Sequence, residues 1–188
     1  MKLAAIVLAA GAGSRFGGDK LSACFRGEPL IAHAIRAART APVGRVIVVC
    51  GPALDIGDWP GEPPVESRRI ASPGLSASLK AGVAAAGAVD GAFIYLGDMP
   101  LIPPGLAAEL AASLGSAFAA VPRWQGKQGH PVLICAAAFP AIAHLRGDEG
   151  AGRLLKARND IAFVEVAEEG VTLDIDRAED IARLEIRP

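Results

Sequence analysis

Aromatic side chains are scarce in this chain of 188 residues, with six Phe, two Trp and one Tyr. A core so poor in rings has to be filled by Ala, Leu, Ile and Val, a profile that suits strands covered by helices of small residues. Cysteine is scarce too. Cys24, Cys50 and Cys135 are an odd three with no CxxC or CxxH spacing. That argues against a disulfide framework or a zinc site and for a reduced, cytoplasmic setting. Cys50 and Cys135 end apolar runs and read as small buried hydrophobes. Neither sign of charge is in surplus: the formal net charge is −1. No broad basic surface for nucleic acid is therefore advertised, and any anion site must be local. No apolar run approaches the ~18 residues of a membrane span, so no membrane partner is expected. The opening MKLAAIVLAAGAGS has the outline of a short secretion signal. The same residues also read as a buried strand leading into a glycine-rich turn, and that reading is preferred.

What is present is a regular alternation of strand-length apolar runs and helix-period segments. Strands are predicted at Leu3–Ala9, Arg45–Cys50, Gly91–Leu96, Ser116–Val121, Pro131–Cys135 and Ile161–Val166. Helices are predicted at Pro29–Thr40, Leu75–Ala86, Pro104–Leu114, Ala136–Leu145, Gly152–Arg158 and Arg177–Leu184, with Gly51–Pro64 as loop. The strands lack polar alternation, as expected where both faces are covered. The fold class is α/β, a three-layer sandwich around a mostly parallel mixed sheet, in one domain spanning 1–188.

The exit of the first strand reads LAAGAGSRFGGDK, Leu8 to Lys20. Gly11, Gly13, Gly17 and Gly18 let backbone N–H groups approach a ligand, and Arg15 and Lys20 add full positive charges. In physical terms this is a cradle for a triphosphate. It is not a Walker A loop, because Asp19 follows Gly18 and Leu21 follows Lys20. A dinucleotide fingerprint is looser still, since the second strand ends Val49-Cys50-Gly51 without a carboxylate for the ribose.

Acidic residues fall where such a cradle needs them. Asp98 follows the strand Gly91–Leu96, at the edge where ligands of parallel sheets collect, and an aspartate there suits Mg²⁺. It also suits a turn cap ahead of Pro100. Asp174 and Asp176, at i and i+2, face one side of an extended segment, and one of the pair is expected to be a second metal ligand. For Asp176 the alternative is an N-cap closed by Glu179. No Ser-His-Asp or Cys-His constellation is evident.

These residues resemble the molybdenum cofactor nucleotidyltransferases, MobA-like NTP transferases built on the GT-A-like, Rossmann-like nucleotide-diphospho transferase fold. The resemblance rests on LAAGAGSRFGGDKL, LGDMPL and DIDRAEDI and spans residues 3–184. The cytidylyltransferase branch is favoured by Gly-Asp-Met-Pro at Gly97–Pro100, by Gly74-Leu75-Ser76-Ala77-Ser78-Leu79-Lys80-Ala81-Gly82, by Gly129-His130-Pro131-Val132-Leu133 and by Gly147-Asp148-Glu149-Gly150-Ala151. Departures are Asp19 where the family has Pro before the lysine, and Arg177-Ala178 where it has Thr-Pro.

The resemblance implies that a nucleoside monophosphate is moved from an NTP, CTP favoured, to a molybdopterin-type phosphorylated acceptor, with Mg²⁺ as cofactor. Leu8, Ala9, Ala10, Gly11, Gly13 and Ser14 would hold base and ribose, joined by Gly74, Ser76 and Ser78. Arg15 and Lys20 would meet the phosphates and, with Asp98, form the catalytic set; Asp98 with Asp174 or Asp176 would hold the metal. His130 and Asp148 would lie at the acceptor, though each also fits a structural role, as a turn histidine and a helix cap. A molybdoenzyme or its chaperone would receive the product. Three alternatives remain open: a relative using GTP, a sugar phosphate or phospholactate; a nicotinamide-dependent oxidoreductase; and a non-catalytic nucleotide-binding protein.

Overall fold

The computed structural model describes residues 1–11, 16–71, 74–156 and 158–186. Along the chain its elements are β1 (Leu3–Ala9), β2 (Cys24–Phe25), β3 (Glu28–Pro29), α1 (Leu30–Arg39), β4 (Val46–Cys50), β5 (Val65–Arg69), α2 (Leu75–Ala86), β6 (Gly91–Leu96) and α3 (Leu106–Leu114). There follow β7 (Ala119–Trp124), β8 (Lys127–Gln128), β9 (Val132–Cys135), α4 (Phe139–Ile142), α5 (Ala151–Leu155), β10 (Ile161–Glu165) and α6 (Ala178–Glu185). Short 3₁₀ turns occupy Lys20–Ser22, Ala136–Ala138 and Glu169–Thr172.

The main sheet has the order β10-β7-β9-β6-β1-β4-β5, with β8 attached to β7, and β2 and β3 form a separate two-stranded ladder. β1 pairs in parallel with β4 and β6, β4 with β5, and β7 with β10, while β9 runs antiparallel to β6 and β7. Every residue of β1 is buried, which is why its sequence shows no polar alternation. Alternate residues feed two cores. Ala5, Val7 and Ala9 join Leu30, Ile35, Leu106, Leu110 and Leu184 on one face, from α1, α3 and α6. Ala4, Ile6 and Leu8 join Leu79, Ile142 and Leu155 on the other, from α2, α4 and α5. The expected three-layer sandwich is present, and residues 3–9 of the segment that imitates a secretion signal form β1, an interior strand of the main sheet. Among the described residues no helix is long and apolar enough to cross a membrane.

Several boundaries differ from expectation for identifiable reasons. The helix expected from Pro104 begins at Leu106, after Gly105 takes a left-handed conformation at φ +84. The strand expected over Ser116–Val121 starts at Ala119, because Ala117 N–H closes a turn onto Leu114 C=O at 2.8 Å. The helix expected over Ala136–Leu145 is a 3₁₀ turn followed by the short α4, whose break coincides with Pro140 in its first turn. The helix expected over Gly152–Arg158 is Ala151–Leu155. β5 (VESRR) escapes apolar patterning because it is an edge strand, bonded only to β4 and mostly exposed. All three cysteines are free; Cys50 is buried, Cys135 only partly, and Cys24 is exposed.

Close packing of α2 on β1 depends on Gly82, where a Cβ would lie 2.4 Å from Ile6 Cγ2. Ile6 is fully buried and β-branched, so it has little room to yield. Alanine would gain helix propensity of about 1 kcal/mol. Overpacking a rigid core costs typically about 1–3 kcal/mol and is expected to win. Gly82→Ala should therefore lower stability in urea unfolding; a gain would show that the helix can lift off the sheet at no cost.

Candidate active site

The carboxyl ends of β1, β4 and β6 lie side by side, and the ligand-bearing crevice of an open parallel sheet is expected there. Gly97, just after β6, is pressed against the end of β1. Its N–H donates to Leu8 C=O at 2.9 Å, and a Cβ would sit 3.0 Å from Ile31 Cδ1 and 3.2 Å from Leu8 O. This contact fixes where Asp98 leaves the sheet. The segment 174–176 then docks on Asp98 itself, with Ile175 N–H donating to Asp98 C=O at 3.0 Å. Ile175 is wholly buried, so the side chains on either side of it, Asp174 and Asp176, turn back toward Asp98. One carboxylate oxygen from each of Asp98, Asp174 and Asp176 lies within 4.8 Å of the others.

Lys20 opens the 3₁₀ turn that follows the glycine-rich segment, and its ammonium points into this cluster. Nζ donates to Asp98 Oδ2 at 2.7 Å and reaches Asp176 Oδ1 at 3.5 Å, with the lysine side chain 12% exposed. The neighbouring Asp19 is turned aside, accepting from Ser22 Oγ at 2.5 Å. Asp174 is held above the ordinary carboxylate range by burial, then by the negative charges of Asp176 and Asp98, with Lys20 pulling the other way.

The alternatives for these acids fare differently. Asp98 does sit in a turn ahead of Pro100, where Met99 N–H donates to Leu96 C=O at 3.3 Å, but no helix is entered there before Leu106, and its carboxylate accepts from Lys20. Asp176 is not the N-cap of α6 closed by Glu179. That helix starts after Arg177, and it is Asp180 whose Oδ2 accepts from Asp176 N–H at 3.0 Å and Arg177 N–H at 2.8 Å. The helix is capped one residue later than its sequence suggests, which leaves the Asp176 carboxylate facing Lys20.

Two pockets open beside the cluster. One, of about 230 Å³, is walled by Ala9, Ala10, Gly11, Gly18, Asp19 and Lys20 on one side and by Gly51, Pro52, Ala53 and Leu54 on the other. The other, of about 420 Å³, is floored by Leu8, Ile94 and Leu96, and its walls include His130, Asp148, Arg153 and Lys156. His130 and Asp148, far apart in sequence, thus share one pocket. His130 follows β8 and precedes the cis peptide to Pro131; its N–H donates to Val171 C=O at 2.8 Å and its Nδ1 lies 3.2 Å from Ile94 O. Burial pushes its ring pKa below the usual value, against the pull of the Ile94 carbonyl and the Asp98 charge. A neutral ring donating from Nδ1 leaves Nε2 as an acceptor.

Two of the motifs touch each other. Ser76 N–H donates to Gly147 C=O at 3.0 Å, and Lys80 Nζ to Leu145 C=O at 2.7 Å. A Cβ on Gly74 would lie 2.6 Å from Gly147 O, so glycine is required there by close approach. A Cβ on Gly150 would meet Leu75 Cδ2 at 2.7 Å. The start of α2, with the buried hydroxyl residues Ser76 and Ser78, is therefore clamped to the loop that carries Asp148. Gly13, Ser14 and Arg15 lie outside the described residues. Sequence reading passed over the Gly51–Leu54 wall and the pair Arg153 and Lys156. The first could have been found from position, because the end of β4 adjoins the end of β1; the second from two cations three residues apart after Gly-Asp-Glu-Gly-Ala.

A three-layer sheet with a cation and three acids at its carboxyl edge is the framework of a nucleotidyltransferase. The chain belongs to the MobA-like NTP transferase family, whose domain pattern matches residues 5–162. It is 30% identical to the purine catabolism protein PucB of Bacillus subtilis, over 95% of this chain and 93% of that one. It is 36% identical to a 2-C-methyl-D-erythritol 4-phosphate cytidylyltransferase of Cereibacter sphaeroides, over 70% of this chain and 65% of the relative. A probable molybdenum cofactor guanylyltransferase of Thermococcus gammatolerans is 33% identical over 67% of this chain and 65% of its own length. Among solved structures, a homologue of Mycobacterium tuberculosis Rv0371c from Mycobacterium sp. strain JC1 superposes with TM-score 0.84 at 29% identity, covering 98% of this chain and 96% of that one.

The strain among the acids has a measurable sign. Folding raises the Asp174 pKa, so its ionised form destabilises the native state, and the penalty grows as pH rises from the ordinary carboxylate range through the raised value. In metal-free protein Asp174→Asn should raise Tm by roughly 1–2 °C at about pH 7, a small effect because solvent screens so exposed a carboxylate. The gain should close toward about pH 4 as both folded and unfolded aspartate become protonated. A gain independent of pH, or a loss, would contradict this assignment.

Proposed function

We propose that this protein transfers CMP from CTP to a phosphorylated acceptor of the molybdopterin type, releasing pyrophosphate. The observation that carries the reading is the convergence of Lys20 with Asp98, Asp174 and Asp176 at one edge of the sheet. The acids are hard oxygen donors of the kind Mg²⁺ takes, and their mutual spacing suits one shared ion. Asp98, with Asp174 or Asp176 or both, is proposed to hold that ion, which supplies charge neutralisation on the phosphates. Cytidine is favoured by the branch motifs at Gly97–Pro100 and Gly147–Ala151, and a cytidylyltransferase stands among the relatives. The acceptor assignment draws on the same motifs and on His130 and Asp148 lining one pocket.

In the proposed step an acceptor phosphate oxygen forms a bond to the α-phosphorus while the bond to the bridging oxygen breaks and pyrophosphate leaves. A phosphate monoester is already largely ionised at neutral pH, so no side chain has to remove a proton. The protein's part is positioning and electrostatics. The small-residue walls at Ala9–Gly11 and Gly51–Ala53 admit a nucleoside closely, Lys20 and Arg15 are assigned to the phosphates, and neutral His130 offers Nε2 to a donor on the acceptor.

Pyrophosphate release measured with CTP, Mg²⁺ and molybdenum cofactor should be robust in the wild type. It should fall by on the order of 10²–10³ in Lys20→Ala and in Asp98→Ala, the usual consequence of deleting one electrostatic group. An Asp98→Ala enzyme of full activity would refute the metal assignment.

A guanylyltransferase among the relatives gives GTP use specific support as a second reading. Thermal shifts with CTP, GTP, ATP and UTP in Mg²⁺ separate the two, since a ligand bound by the native state alone raises Tm. CTP should give the largest rise; a larger rise with GTP would transfer the assignment to guanylyl transfer.

A further inference from the structure

The reaction proposed above asks two things of residues that are, in the structure, bonded to each other. On that reading, on which this inference rests, the acids hold a divalent cation and Lys20 neutralises phosphate. Yet the Lys20 ammonium lies on the acids, 2.7 Å from Asp98 Oδ2 and 3.5 Å from Asp176 Oδ1, and is largely shielded from solvent. The two cations compete for the same acids. An ammonium at hydrogen-bond distance from Asp98 Oδ2 takes up part of that carboxylate, and two positive charges so close repel.

We infer that Lys20 is a resident counterion that the metal displaces. In the free protein it offsets the repulsion among Asp98, Asp174 and Asp176. When a divalent cation takes the acids, the ammonium swings on its flexible four-carbon stem to the phosphates that arrive with it. Metal binding without nucleotide must push the ammonium into water; with nucleotide the ammonium exchanges one set of oxygens for another. Metal and triphosphate therefore favour each other's binding, and the coupling is reciprocal. Until both ligands are present the ammonium offsets part of the cluster's negative charge.

The probe is Mn²⁺ alone, without nucleotide, with binding read from the loss of its free-ion electron paramagnetic resonance signal. Lys20→Met and Lys20→Gln remove the charge; Lys20→Arg keeps it. Both neutral variants should bind Mn²⁺ about tenfold tighter than the wild type, inside the roughly 5–150-fold range typical of coupled sites. Lys20→Arg should stay within about twofold of the wild type if charge is what the acids require. Mn²⁺ should also raise the Tm of the neutral variants more than that of the wild type, a measurement that reports their folding at the same time. Equal or weaker Mn²⁺ binding by folded neutral variants overturns the exchange, as does absence of Mn²⁺ binding from all four proteins. Pyrophosphate release by the wild type judges the transferase reading separately. Turnover with unchanged Mn²⁺ affinities sinks the exchange alone, whereas tighter binding in a protein that never releases pyrophosphate leaves the exchange standing without that catalytic setting.

Discussion

A lysine from the first tenth or so of the chain and acids from its middle and its end meet in one ion pair, and the architecture of the sheet edge follows from making that meeting possible. Three carboxylates within 4.8 Å of one another repel, so the segments bearing them have to be held by something other than their charges. The backbone holds them: Ile175 N–H on Asp98 C=O docks the C-terminal segment, the buried Ile175 side chain anchors it, and Asp180 gathers the N–H groups of Asp176 and Arg177 behind it. Lys20 then supplies the charge that lets the acids coexist. A half-buried ion pair of this kind adds little net stability, since desolvation offsets most of the attraction. The pair is better explained by what the crevice binds.

The sheet determines which residues can reach this edge. β5, β4, β1 and β6 run parallel, so their carboxyl ends share one side, and crossovers through α1, through the segment 51–64 and through α2 bring the chain back each time to begin again at the opposite side. β9 reverses this direction. It therefore starts at the functional edge, and the residue that precedes its cis Pro131 is His130, placed beside the floor formed by Ile94. Loops from parallel strands deliver groups that follow a strand; the antiparallel β9 delivers one that precedes it. A reader who assumes only parallel strands would look for His130 at the wrong end of the molecule.

Legibility in the sequence divides along the same physical lines. β1, α2 and β6 coincide with their predicted limits because each is a buried run or an amphipathic segment bounded by glycine, where burial alone dictates the pattern. β5 and β8 are illegible since their residues are mostly exposed and polar, and their strand character comes from a neighbour. At the site, Lys20, Asp98 and the pair Asp174 and Asp176 could be nominated by chemistry and spacing. Their union could not, because it depends on Ile175 bonding across 77 residues of chain to Asp98, a contact without local signature. The capping of α6 shows the converse failure: Asp176 and Glu179 fit a capping box, and Asp180, one residue further on, takes the task.

Base recognition is hard to read for a different reason. Most of the smaller pocket's wall, including Ala9, Ala10, Gly11, Gly51, Pro52 and Ala53, carries no side-chain hydrogen-bonding group, with Asp19 and Lys20 the exceptions. On the proposed reading, a base held against that wall would meet main-chain N–H and C=O groups, which are identical for every residue. The larger pocket is the opposite, with an imidazole, carboxylates and two cations on its walls. Adjacent residues of one strand divide the two, because Leu8 faces the second and Ala9 the first. On the proposed reading the two partners would approach a common set of charges from different sides. One strand end, with side chains alternating across the sheet, would supply that division without any additional element.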